Sequence, residues 1–389
     1  MGTIHSFPKR IVRQFPREGQ PGDPESHASY TVPLSYRGVL FAGAVCFLLA
    51  VITGIWKIAL TRGFLLPAIP EFWPPHGHLM VGGFLAGVIM FERMIALRIK
   101  SLIWVPYAYM FSAILLHTGF TAIRVIHFAA LGGWVLHRWF AYRAFHKMDK
   151  PLVESAAYIT LSSALNYPGG LTAGPVVALA ALAFPAVTIL VERLEMSLNF
   201  HKTAAKIALW MLIAWCALWN AAIWWNHLSL TVLGAATLLV AIAAITQDRS
   251  LRISNAAGAL HRFLQRSLFV AYAWLILSAV LMMLSAHLPG AVVKDVLFHS
   301  MGLGFIFTML LAHAPLILPA ALGKLPAQSA PVLPFLLFQF MTVLRITSDL
   351  NVARAPVLWM WTGWITGAIH TLSFLVYVAL LARSLKKAA

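Results

Sequence analysis

Apolar residues in this chain come in long blocks, with polar residues gathered in the stretches between them. A helix needs ~20 mostly apolar residues to cross a bilayer. Blocks near that length fall at 38–60, 76–97, 102–121, 123–146, 152–167, 171–192, 205–225, 228–247, 267–287, 294–319, 331–348 and 356–382. The fifth is the shortest. The pattern predicts an all-α, polytopic membrane bundle of about twelve transmembrane helices. Turn residues separate the blocks, most plainly in NYPGGLTAGP between the fifth and sixth.

Composition agrees with that class. Of the 389 residues, 60% are hydrophobic and 11% charged, with a mean hydropathy of +0.81. Soluble domains carry roughly 25% charged residues. A net charge of +17 would suggest nucleic acid in a soluble chain, but its placement gives another reason. Assigned to alternate sides of twelve spans, 23 of the 29 basic residues fall on the side of the amino terminus and 6 on the other. That bias predicts a multi-pass protein with both termini in the cytoplasm. The charge then serves topology and anionic lipid, and no nucleic-acid partner is expected. Residues 1–37 read as a basic cytoplasmic tail without a cleavable signal, and 38–389 as a single bundle. The connection at 248–266 divides eight helices (38–247) from four (267–382). Cys46 and Cys216 lie inside predicted helices without a CxxC, which argues against disulfide or thiolate chemistry.

Histidine carries the candidate chemistry. In WPPHGHLMVGG, His76 and His78 follow a Pro-Pro pair suited to a first helical turn. Gly77, Gly82, Gly83 and Gly87 leave one side of the helix bare for a neighbouring helix or a flat cofactor. Two imidazoles at such a rim are candidate ligands for haem iron or copper. In the tenth segment His299 stands beside Gly302 and Gly304, and His313 lies about 21 Å deeper. His117 and His127 flank Arg124 on the outer side, and His137, His313 and His370 form a deeper set. His76 and His78 are about 200° apart on a regular helix, so one iron takes only one of them. The more interior His78 is assigned to a shared outer haem pocket with His299, leaving His76 for copper, a propionate or a carbonyl. Arg345 and Arg124 are candidate propionate partners, and no catalytic residue is assigned. Glu92, Glu154 and Glu192 fall at inner edges and Asp295 and Asp349 at the outer edge, which speaks against a proton pump or ion-coupled transporter.

HGHLMVGG through His76, His78 and Met80, AYAWLILSAVL at 271–281, HSMGLGFIFTML at 299–310 and LLFQFMTVLRITSDL with Arg345 together resemble the NnrS family of bacterial membrane proteins. Leu79 stands where that family has an acidic residue, and AHAPLILP replaces its ending to the tenth helix. The resemblance implies a divergent twelve-helix protein that binds b-type haem, with copper as a further metal, and handles nitric oxide. Metal ligands would come from His76, His78, His299, His117, His127 and His313. NO and membrane lipid would be its partners, with quinol or another electron donor where turnover requires one. Two other readings compete. A cytochrome b-like di-haem carrier or quinol oxidoreductase suits the near-aligned His299 and His313, but no second helix has a matching pair. A transporter or assembly factor would use the histidines structurally.

Overall fold

The computed structural model describes residues 34–97, 100–145, 149–198, 202–225, 228–252, 258–290, 292–322, 324, 327 and 329–385. The predicted basic tail lies almost wholly outside them. The described chain is helical, in rods joined by short links. These are α1 (Leu34–Thr61), α2 (76–97), α3 (Trp104–Leu115), α4 (Thr121–Phe145), α5 (Asp149–Asn166), α6 (Pro175–Leu198), α7 (Lys202–Trp225), α8 (Leu230–Gln247), α9 (Ala259–Met283), α10 (293–322), α11 (Val332–Leu350) and α12 (Pro356–Ser384). Two rods change pitch. α2 passes through a π-helical run, His78–Leu85, and α10 through another, Ser300–Phe307.

The molecule is an all-α, largely membrane-embedded bundle. Among the described residues, α1 and α6 to α12 give eight segments long and apolar enough to cross a membrane. Large apolar side chains on their outer faces stay exposed, as lipid contact requires; Phe41, Trp225, Val357 and Leu333 are examples. α6 lies innermost. From Ala178 to Val187 every non-proline side chain is at most 1% exposed, the condition of a helix apolar on all sides. α2 to α5 fall outside the eight. α3 rises only about 18 Å, and α2, α4 and α5 carry buried Arg93, Arg138 and Glu154, which face one another.

Several boundaries move from the sequence reading. α3 ends at Leu115, followed by a 3₁₀ turn and Gly119 at φ +74°, where 102–121 was expected to be one helix. α9 starts at Ala259 and not near 267, because LHRFLQR continues it as a polar first two turns. The glycines also act differently from the expectation of a bare cofactor groove. A Cβ on Gly82 would lie 2.9 Å from Ala113, on Gly83 2.8 Å from Cys46, and on Gly304 2.5 Å from the Trp274 ring. Their missing side chains admit neighbouring helices. Gly302 is the open one: its nearest neighbour would be 3.8 Å away.

Both π runs sit at one short pattern. His78-Leu-Met-Val-Gly-Gly-Phe84 and His299-Ser-Met-Gly-Leu-Gly-Phe305 share His, Met, Gly and Phe in register. π-turns inside α-helices are frequent at functional sites.

Candidate functional site

A cavity of about 540 Å³ lies among α1, α2, α6, α10, α11 and α12. Its size is that of a cofactor or ligand pocket. Phe47, Phe307, Phe338 and Phe374 form an aromatic wall, with ring centroids 4.7 Å apart for Phe47 and Phe374. His76, His299 and His370 also reach it.

His76 is fixed at the first turn of α2 by two features of α1. Trp73 donates its indole N–H to Thr53 Oγ1 at 2.8 Å, holding the link against α1. Gly54 lets the imidazole lie on the α1 backbone, where a Cβ would come within 2.7 Å of Nδ1. The ring then donates Nδ1–H to Ala50 O at 2.6 Å. A carbonyl oxygen only accepts, so that nitrogen carries the proton and Nε2 of the neutral ring is a bare lone pair. His299 repeats the arrangement immediately before the π run of α10, donating Nδ1–H to Asp295 O at 2.9 Å. Both rings line the same cavity. Such second-nitrogen anchoring is what orients histidines that ligate metals. His370 differs. Its Nε2–H is given to Thr342 Oγ1 at 3.0 Å, whose own hydroxyl is spent on Phe338 O.

One end of the cavity is charged. Arg345, expected to be free for a propionate, donates Nε to Asp349 at 2.8 Å, a terminal nitrogen to Asp295 at 2.7 Å, and another to Gly363 O. Arg62 donates to Asp349 Oδ1 at 2.8 Å and lies over the Trp359 ring, and its other terminal nitrogen is buried without a partner. Gly363 provides the room for that guanidinium. Lys57 and Lys294 also line the site, and Lys294 reaches Leu171 O at 2.7 Å. Sequence reasoning treated Lys57, Arg62 and Lys294 only as topology charges. Their place in the chain is the signal that could have found them: Lys57 and Arg62 close α1 just before the link to His76, and Lys294 stands five residues ahead of His299.

The other expected residues lie elsewhere. His78, assigned to the His299 pocket, is turned off the cavity into the α3–α5 side, 1% exposed, with neither ring nitrogen hydrogen-bonded. Of the two, about 200° apart on a regular helix, it is His76 that lines the cavity. His117 lies with its ring 6.0 Å from that of His78 and with both nitrogens against the carbonyls of Ile114 and Phe72. His127 is enclosed by Ser112 and Ser162. His313 donates Nδ1–H to Met309 O, so its Nε2 accepts from Arg193, itself paired with Asp248. Arg124 is exposed and distant from the cavity lining. Among the described residues no group of three or more His, Cys, Asp or Glu side chains is placed to hold a metal ion.

Compared with known families, residues 37–383 match a domain of unknown function, DUF8744. No curated protein and no solved structure matches the chain.

Proposed function

The chain belongs to the DUF8744 family, and on that premise we propose that it is a haem-binding inner-membrane protein that handles nitric oxide. The observation that carries this reading is the pair His76 and His299, each with Nδ1–H tied to a backbone carbonyl and Nε2 bare beside one aromatic cavity. One or two histidines suffice to hold haem iron, with the pocket controlling access. Lys57, Lys294 and the unpartnered terminal nitrogen of Arg62 are the donors available to propionates, since Arg345 has all its nitrogens committed. Bound haem would supply an iron able to ligate a small uncharged gas, and NO reaches a buried site through lipid. The twelve-span topology with cytoplasmic termini belongs to the same proposal. α2 to α5 complete the crossing because their polar residues face inward, and the 23-to-6 distribution of basic residues sets the direction.

The NnrS resemblance supports haem through His76, His78, Met80 and His299. Its copper finds less support. His117, His127 and His313 have both ring nitrogens engaged, and His78 is then a single ligand. The di-haem carrier fails on the same ground, because His313 Nε2 accepts from Arg193. Quinol or another donor enters only if the protein turns NO over.

The test is an optical spectrum of detergent-purified protein grown with haem supply. A Soret band is expected, lost or strongly shifted in His76→Ala and His299→Ala and retained in His78→Ala and His370→Ala. No Soret band in wild type, or loss in His78→Ala with retention in His76→Ala, would overturn the assignment.

A further inference from the structure

Away from the cavity, the α3–α5 side of the bundle carries a line of polar groups. Along one face of α5 stand Glu154, Tyr158, Ser162 and Asn166, four residues apart. They extend over about 18 Å of helix, more than half the ~30 Å thickness of a hydrocarbon core. At the inner end Glu154, 1% exposed, pairs with Arg93 at 3.0 Å and Arg138 at 3.1 Å. Arg93 also binds Glu192 and lies beside Glu92, and both of those carboxylates are partly exposed. At the outer end His78 faces His117, whose Nε2 side is exposed.

The middle has a direction. Ser112 spends its hydroxyl on backbone carbonyls, so it accepts from His127 Nδ1–H. His127 Nε2 therefore accepts from Ser162, at 3.0 Å. Ser162 Oγ in turn accepts from Tyr109 OH at 3.1 Å. Tyr158 packs edge-on against Tyr109, with ring centroids 5.6 Å apart.

Between these groups lie polar atoms that are buried and have no protein partner: both nitrogens of His78, Asn166 Oδ1, Tyr158 OH, Trp134 Nε1 and both nitrogens of His137. The rings of Tyr158, Trp134 and His137 follow one another at 5.0 Å. Buried polar groups in native proteins are satisfied by protein or by ordered water. A chain of this length holds on the order of fourteen buried waters, at one per ~27 residues. The orphaned atoms here come from α2, α4 and α5 and call for such water between these helices.

We propose that the α3–α5 interior is a hydrated proton-conducting path from the inner carboxylates Glu92 and Glu192 through Glu154, Tyr158, Ser162 and His127 to the outer end beside His117. Each step moves a proton between neighbouring hydroxyl, imidazole, carboxyl or water oxygen and nitrogen atoms, and no bond other than these is made or broken. α2 thereby separates two compartments, with His76 facing the cavity and His78 facing away from it. The path does not depend on what the cavity binds. The competing account is that these groups only join helices by hydrogen bonds.

Tyr158→Phe distinguishes the two, because it removes an oxygen that bonds to no protein atom. Purified protein is reconstituted into liposomes containing a pH-sensitive dye, and a potassium gradient with valinomycin drives protons across. Wild type is expected to change internal pH at least ~fivefold faster than protein-free liposomes. Tyr158→Phe and Ser162→Ala should fall to near the protein-free rate. Thr188→Val, which removes a buried hydroxyl bonded to Phe184 O on α6, should keep the wild-type rate. A wild-type rate equal to that of protein-free liposomes would overturn the proposal. So would a Tyr158→Phe variant that conducts like wild type, whatever the fate of Ser162→Ala.

Discussion

Asp349 is fully buried near the C-terminal end of α11 and accepts hydrogen bonds from three elements. Arg62 of α1 reaches it at 2.8 Å, Arg345 of its own helix at 2.8 Å, and the Trp359 indole of α12 at 3.1 Å. Asp349→Ala leaves two guanidinium groups in a low-dielectric site, with only Asp295, half exposed, to share. Breaking a buried ion pair from one side costs about 3–5 kcal/mol, most of it the penalty of the stranded charge. One kcal/mol shifts Tm by ~2–4 °C in domains of 150–250 residues, and a chain of this size falls at or below the lower bound. The expected fall in Tm is therefore about 6–10 °C. The buried free thiols Cys46 and Cys216 provide the assay, since a thiol-reactive fluorophore reports their exposure on heating in detergent. Adding Arg62→Met should restore part of the loss by removing one stranded charge, so the double variant should be more stable than additivity allows. A fall under 2 °C, or strictly additive double-variant losses, would refute the reasoning that this network is a coupled unit.

Gly304→Ala should destabilise by about 1–3 kcal/mol through overpacking against the Trp274 ring, while Gly302→Ala should leave Tm nearly unchanged and reduce haem uptake by narrowing the cavity. The same thiol-exposure assay and the Soret absorbance read the two effects. Arg62→Gln combined with Lys294→Gln should weaken haem retention during size exclusion, whereas Arg124→Gln should not; equal retention in all variants would remove the cationic rim from the proposal. A cysteine introduced at Gly169 should react with an impermeant reagent added to intact cells stripped of their outer membrane, and one at Asn255 should not. The reverse pattern would invert the orientation.

Length and hydropathy made most of the fold readable, because a helix in lipid has to satisfy its own backbone and declares itself by a long apolar run. The exceptions have a common cause. α9 was read as starting late because Arg262 and Arg266 interrupt the apolar pattern, although a helix extends past the hydrocarbon without changing its hydrogen bonding. His76 and His299 were both legible as candidates, but their pairing was not. Sequence spacing gave the angle between His76 and His78, and nothing in it said which side of α2 the cavity occupied. Contacts on α1 decide that: Gly54 accommodates the His76 ring, Ala50 O accepts from it and Thr53 holds Trp73, all of them 20 or more residues away along the chain. Glycines were likewise ambiguous. Gly82, Gly83 and Gly304 are filled by Ala113, Cys46 and Trp274, side chains remote in sequence.

The two π runs allow the last step. His78 and His299 hold the same position in matching heptapeptides, yet only His299 faces the cavity. In α10, Gly302 leaves the face below His299 open, while Trp274 fills the opposite side at Gly304. In α2 both glycines of the heptapeptide are filled, and the cavity side is served instead by His76, a residue with no histidine counterpart at the matching position Leu297. A symmetric use of the pattern would have produced two half-sites of one histidine each. Displacing the ligand by two residues in α2 brings both histidines to one cavity and leaves His78 to the neighbouring compartment. The asymmetry predicts that moving the histidine back, in a His76→Leu variant that retains His78, should not recover haem binding, whereas replacing His78 by leucine should leave it intact. Haem binding in the first variant at the wild-type level would mean that His78 can swing to the cavity and that the two compartments are not separated by α2.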